Sequence, residues 1–150
     1  MEQSSIRPPT RELFYMPSRE QLATVSREWI CKADEDLQAA SYLLKLGKIC
    51  PTATIGFHAQ QCVEKLIKAL LVVRGIDFPK THDIEKLVGL MPLDAIITLP
   101  VSEQRTLSIY GTVTRYPGDY EPVSVKDARA AVSRARRIRR ELRPLLPSQS

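Results

Sequence analysis

The chain has 150 residues, a formal net charge of +5, 43% hydrophobic residues and only six glycines. This length predicts a single domain that is large enough to bury a core. No segment is long and apolar enough to span a bilayer, and the N-terminus lacks the basic stub and apolar stretch of a signal peptide, so we expect a cytoplasmic protein that contacts no membrane.

The first 25 residues are polar and contain three prolines, which predicts an extended N-terminal arm over residues 1–25. A first helix is then predicted from Ser26 to Leu46, and Gly47 marks its end. Its apolar residues recur at helical spacing along one face, at Trp29, Ala33, Leu37, Ala40 and Leu44.

A second helix is predicted to begin after Pro51, with Thr52 as its N-cap, and to end at Gly75. Its core stripe consists of Ile55, Ala59, Cys62, Leu66, Leu70 and Val73. A short third helix should start at Thr81 or Asp83 and reach about Met91, since acidic residues in a first turn are favoured by the helix dipole.

A fourth helix is predicted over residues 102–113, and the proline-rich loop 114–123 forbids a regular helix after it. A fifth helix should follow, with Ser124 as N-cap, Asp127 completing a capping box, and Arg143 near its end. Its inner stripe consists of Val125, Ala128, Val132, Ala135, Ile138 and Leu142.

Five helices without a strand signal predict an all-α, up-down bundle of four to five helices over residues 26–143, followed by a tail at 144–150. The three cysteines have no C-x-x-C spacing, which argues against a disulfide framework or zinc site, and we expect no metal and no cofactor. The basic charge is concentrated in residues 126–143, which carry eight basic side chains against Asp127 and Glu141.

The second helix has an unusual second face, opposite its core stripe. Phe57, Glu64, Lys68 and Leu71 cluster there, and Gln61 borders them. Glu64 and Lys68 have the spacing of an ordinary surface salt bridge. The large apolar residues that flank this pair favour contact with a partner instead, so we expect a homodimer interface that includes Phe57, Gln61 and Leu71.

Three motifs occur in a characteristic order along the chain. They are Q-Q-x-x-E-K-x-x-K-A at residues 60–69, K-T-H-D at residues 80–83 and R-Y-P-G at residues 115–118. This order resembles the HEPN domain family (higher eukaryotes and prokaryotes nucleotide-binding) over residues 29–142. The resemblance implies a helical bundle that usually dimerises, and many members are encoded beside a minimal nucleotidyltransferase as a toxin–antitoxin pair.

Active members of this family are metal-independent ribonucleases with an arginine followed four to six residues later by a histidine. The matching arginine here is Arg115, but Tyr120 occupies the histidine position, and no histidine follows His82. A tyrosine is a poor replacement base, because its ordinary pKa is about 10. The chain therefore keeps the anion-binding half of the signature and lacks the half that moves a proton.

Several residues remain candidates for phosphate contact or catalysis. Arg115, Lys68 and Glu64 would line one groove if the proline-rich loop folds back over the second helix. The fifth helix presents Arg136 and Arg140 as a solvated face, as an RNA or nucleotide contact, or as a contact with an acidic protein partner. His82 is interpreted as a capping or packing residue, and His58, on the second helix, as a partly buried structural histidine.

Two functions stay open from the sequence. One is a non-catalytic module that binds nucleotide or RNA phosphates and pairs with a nucleotidyltransferase. The other is a divergent ribonuclease toxin in which Arg115 acts with Tyr120 or with His82.

Overall fold

The computed structural model describes residues 16–149, which form one bundle of α-helices. The five α-helices of this range are α1 (Arg19–Leu44), α2 (Thr52–Val73), α3 (Ile84–Gly89), α4 (Val101–Gly111) and α5 (Val125–Leu142). Short 3₁₀ turns lie at Gly47–Ile49, Val113–Arg115 and Arg143–Leu145. No β-strand occurs between residues 16 and 149, which confirms the predicted all-α bundle. None of the helices in this range is both long and apolar enough to cross a membrane.

Helix α1 begins seven residues earlier than predicted. Ser18 is its N-cap: its hydroxyl accepts from the Gln21 amide at 3.1 Å, and the Gln21 side chain accepts from the Ser18 amide at 2.8 Å. This capping box fixes the start of the helix after Pro17. The expectation of an extended arm is therefore wrong over residues 19–25, and residues 1–15 of that arm lie outside the described range.

Helix α2 is the central element and packs against α1, α4 and α5. In its predicted stripe Ile55, Ala59, Cys62, Leu66 and Leu70 are fully buried, and Val73 is partly buried. The predicted N-cap is wrong by one residue: Pro51 occupies that position, and no side chain caps the helix. After α2 the chain turns at Gly75, whose φ of +67° is the left-handed conformation that favours glycine.

Helix α3 is a single short element capped by Asp83, whose carboxylate accepts from the amides of Glu85 and Lys86. Helix α4 ends at Gly111, where the chain passes very close to α2. A Cβ atom built at Gly111 would lie 2.4 Å from Cδ of Gln60, so a side chain here would displace that glutamine. This close approach holds the turn at residues 113–115 against the first half of α2.

Helix α5 follows the prediction closely. Ser124 and Asp127 form the expected capping box. The residues of its inner stripe from Ala128 to Leu142 are buried against α2 and α1. The chain after α5 stays on the bundle, since Leu145 and Leu146 pack against the core.

Candidate functional site

The second face of α2 is covered by the chain itself. Leu71 is 0% exposed and belongs to the main core, while Glu64 and Lys68 are 2% and 6% exposed. The expectation that Leu71 contributes to a dimer surface is therefore wrong, and Gln61 is also buried. The physical reason is that α2 runs through the centre of the bundle and packs against α1, α3, α4 and α5.

Glu64 is the centre of a buried polar network. Its carboxylate accepts hydrogen bonds from Lys68 Nζ at 3.1 Å, from Gln60 Nε2 at 3.0 Å and from His82 Nδ1 at 2.8 Å. Gln61 in turn donates to the side-chain oxygen of Gln60 at 2.7 Å. A buried carboxylate needs such partners, because an unpaired charge in the interior is costly. The network explains why these polar residues follow one another along α2.

Lys68 also faces aromatic rings. Its Nζ lies 5.4 Å from the Trp29 ring centroid and 5.6 Å from that of Phe78, within the range of cation–π contacts. Neither Lys68 nor Glu64 forms a hydrogen bond or ion pair with Arg115. Their role in phosphate binding stays a prediction, which their burial does not favour. His82 is the exposed member of the network, with about half of its side chain in solvent.

Arg115 lies apart from that network, at the end of the turn that follows α4. Its guanidinium carbon is 4.4 Å from the ring centroid of Phe57 and 5.7 Å from that of Tyr116. No carboxylate among residues 16–149 lies within salt-bridge distance of Arg115. A stacked guanidinium keeps its N–H donors available, so this charge remains open to an anion from solvent.

A cavity of about 310 Å³ opens beside Arg115. It is lined by Ala53, Thr54, Phe57, His58, Thr114 and Arg115. Nothing in the sequence pattern placed a histidine near Arg115, yet the fold brings His58 into the same cavity. The first turn of α2 forms another wall of the cavity. The positive end of the α2 helix dipole lies there and adds to the charge of Arg115.

His58 is held by a carboxylate from another helix. Its Nδ1 lies 2.8 Å from Oδ1 of Asp36 on α1, and the other Asp36 oxygen accepts from Lys65 Nζ at 2.5 Å. Asp36 is buried and about a quarter of the His58 side chain is exposed. Sequence reasoning missed this pair because Asp36 and His58 are 22 residues apart, and no local motif joins two helices at that separation.

The other candidates lie elsewhere. Tyr120 donates a hydrogen bond to the Thr114 carbonyl at 3.3 Å and lines a different cavity, between α4 and the proline-rich loop. On α5, Arg136 donates to the Ser41 hydroxyl at 2.9 Å, and Arg140 is exposed. Of the described residues, no group of three or more His, Cys, Asp or Glu side chains is arranged to hold a metal ion.

The sequence matches the model of the HEPN domain over residues 26–145, which is most of the chain. The chain belongs to the HEPN domain family. The crystal structure of TT1696 from Thermus thermophilus has a similar fold, with a TM-score of 0.67 and 28% identity over 81% of this chain and 98% of that one. The match to the HEPN model confirms the family resemblance drawn from the three motifs.

Another relative of this HEPN protein is similar over a shorter stretch. A protein of Methanocaldococcus jannaschii named "Putative toxin MJ1304" is 44% identical over 50 residues. That stretch is 33% of this chain and 31% of the relative, so this match spans about a third of either protein.

Proposed function

We propose that this HEPN protein is a module that binds nucleotide or RNA phosphates without cleaving them and works with a nucleotidyltransferase partner in a toxin–antitoxin-like pair. The HEPN family match and the toxin-named relative support the pairing with a partner. The observation that carries the binding role is Arg115, whose charge is held at the rim of a cavity and is not neutralised by any described carboxylate.

Several other arginines are paired with a carboxylate, which Arg115 is not. Arg139 pairs with Asp34 at 2.7 Å, Arg105 with Glu85 at 2.8 Å and Arg74 with Asp94 at 2.8 Å. The charges of these three arginines are thus compensated within the fold. Arg140 on α5 is exposed and is a separate candidate for phosphate contact with a long RNA ligand.

The surface beside Arg115 also supports an interaction role. Ile109, Val113 and Tyr116 are 46%, 48% and 64% exposed, although they are large and apolar or aromatic. They replace Leu71 as candidates for contact with a second copy of the chain or with the nucleotidyltransferase. Exposed apolar side chains next to a charged rim are typical of surfaces that meet a partner.

Binding of a fluorescein-labelled single-stranded RNA, followed by anisotropy, tests the proposal. Because phosphate contact releases counterions, affinity should fall steeply as salt is raised. Arg115→Ala should weaken binding by about tenfold, the size of one charge-assisted hydrogen bond, and Arg129→Ala, which removes an exposed arginine of α5, is the matched control. Equal affinities of wild type and Arg115→Ala would refute the role of Arg115.

A ribonuclease remains the second candidate, and one observation favours it. His58 lies in the same cavity as Arg115, so a group able to move a proton is present although the signature histidine is absent. Incubation of the purified protein with total RNA in EDTA separates the two functions. The binding module leaves the RNA intact, whereas cleavage that disappears with Arg115→Ala would establish the enzyme.

A further inference from the structure

We infer that the cavity formed by Ala53, Thr54, Phe57, His58, Thr114 and Arg115 takes a phosphomonoester, and that His58 distinguishes it from a phosphodiester. The ligand chemistry is a terminal phosphate, supplied either by a free mononucleotide or by the end of an RNA strand. The inference rests on the proposed phosphate contact of Arg115 and specifies its ligand.

The charges around the cavity favour an anion with more than one negative charge. Arg115 contributes a full positive charge that no described carboxylate neutralises. The negative charge of Asp36 is compensated by Lys65, so Asp36 can hold His58 without making the cavity acidic. The uncapped first turn of α2, at Ala53 and Thr54, adds a partial positive charge.

The contact with Asp36 fixes the tautomer of His58. A carboxylate accepts hydrogen bonds, so Nδ1 carries a proton and Nε2 is the ring nitrogen that remains for a ligand. Among residues 16–149, no group forms a hydrogen bond with Nε2. His58 is partly exposed and lines the cavity, so this nitrogen is available to a ligand.

Nε2 of His58 separates two classes of phosphate. A phosphomonoester has a second ionisation near neutrality, with a pKa of about 6, and therefore shares a proton readily with an imidazole. The proton can lie on the phosphate oxygen or on Nε2, and in both cases one hydrogen bond joins them. A phosphodiester has one negative charge fewer and no proton of its own to share with Nε2, so it contacts Arg115 but gains less from His58.

The cavity volume agrees with a small ligand group. At about 310 Å³ it lies at the lower end of the range for ligand pockets. The Phe57 ring is already covered by the Arg115 guanidinium, so a nucleobase does not stack on it. The site is thus suited to the phosphate end of a ligand, and the nucleoside extends toward solvent.

Calorimetric titration with two chemically matched probes tests the inference. Uridine 5′-monophosphate carries a monoester, and uridylyl-3′,5′-uridine carries only a diester. The monoester should bind wild type about tenfold more tightly or better, and His58→Gln should reduce monoester affinity to the level of the diester. Arg115→Ala should weaken both probes, and Arg129→Ala should weaken neither.

A pair of RNA oligonucleotides that differ only in a 5′-phosphate distinguishes the source of the phosphate. Tighter binding of the phosphorylated oligonucleotide identifies an RNA end as a ligand, and equal binding of the two, with tight binding of the mononucleotide, limits the site to free nucleotides. Equal affinities for monoester and diester in wild type, or an unchanged monoester affinity in His58→Gln, would overturn the inference while leaving Arg115 as a general phosphate contact.

Failure of all probes to bind would overturn both the inference and the proposed function. A measurement on the wild-type chain guards against misfolding of the variants. In nuclear magnetic resonance spectra of the imidazole nitrogens, the monophosphate should shift the His58 signals and leave those of His82 in place, because His82 belongs to the Glu64 network outside the cavity. Unmoved His58 signals at saturating monophosphate contradict the inference.

Discussion

The three cysteines differ in burial, and their reactivity should differ accordingly. The pKa of the Cys62 thiol is raised to about 12, first by burial and then by the nearby carboxylates of Asp34 and Asp36. Only the thiolate is nucleophilic, so Cys62 should be inert in the native protein at about pH 8. Cys50 is buried as well, and Cys31 is exposed.

We predict that Ellman's reagent titrates one thiol rapidly in the native protein and all three after unfolding in guanidinium. The Cys31→Ser variant is the control, and its native form should show no fast thiol. Three thiols of equal rate in the native wild type would contradict the burial of Cys50 and Cys62.

Glu64 illustrates a residue whose role depends on burial. As an ordinary surface salt bridge, the i, i+4 pair with Lys68 would contribute only about 0.5 kcal/mol. In the fold Glu64 is 2% exposed and accepts hydrogen bonds from three side chains. The spacing in the sequence shows that the two side chains meet. It does not show whether they are buried, because the elements that cover them are distant in the chain.

We predict that Glu64→Ala lowers the free energy of unfolding by about 3–5 kcal/mol, because it leaves Lys68 buried without a counter-charge. Urea unfolding followed by circular dichroism measures this loss. The matched control is Glu35→Ala, which breaks an exposed pair with Lys32 and should cost less than about 1 kcal/mol. Similar losses in the two variants would show that the Glu64 network is solvated.

At the scale of elements, apolar periodicity predicted all five helices. Four of them lie within a few residues of their expected bounds, and α5 has its predicted capping box. The start of α1 differs from the prediction because residues 19–25 lack a strong apolar stripe, whereas the S-x-x-Q pattern after Pro17 forms a capping box. The capping box therefore sets the start of α1, in a segment where hydrophobic periodicity gives no signal.

Removal of the α1 cap tests this explanation. Ser18→Ala should lower the free energy of unfolding by about 1 kcal/mol, since it removes the acceptor for the Gln21 amide. Ser133→Ala on the exposed side of α5 is the control and should leave stability unchanged or slightly raised. A loss no larger than the control's would mean that α1 does not depend on its capping box.

At the scale of the whole molecule, the sequence predicted the bundle and the family but not the environment of each polar residue. The second face of α2 was expected to meet a partner, and it meets the rest of the chain instead, as the burial of Leu71 shows. Asp36 pairs with His58, and His58 lies beside Arg115, because of the way α1, α2 and the turn after α4 pack together. Such long-range contacts are not encoded in any local spacing.

The central claim is that phosphate binds beside Arg115 in the cavity at the first turns of α2. Backbone amide shifts of the isotope-labelled wild-type chain, recorded during titration with uridine 5′-monophosphate, test it most directly. The account predicts saturable shifts concentrated at residues 53–58 and 114–116. Shifts that are absent, or that lie along residues 126–143 instead, would contradict it.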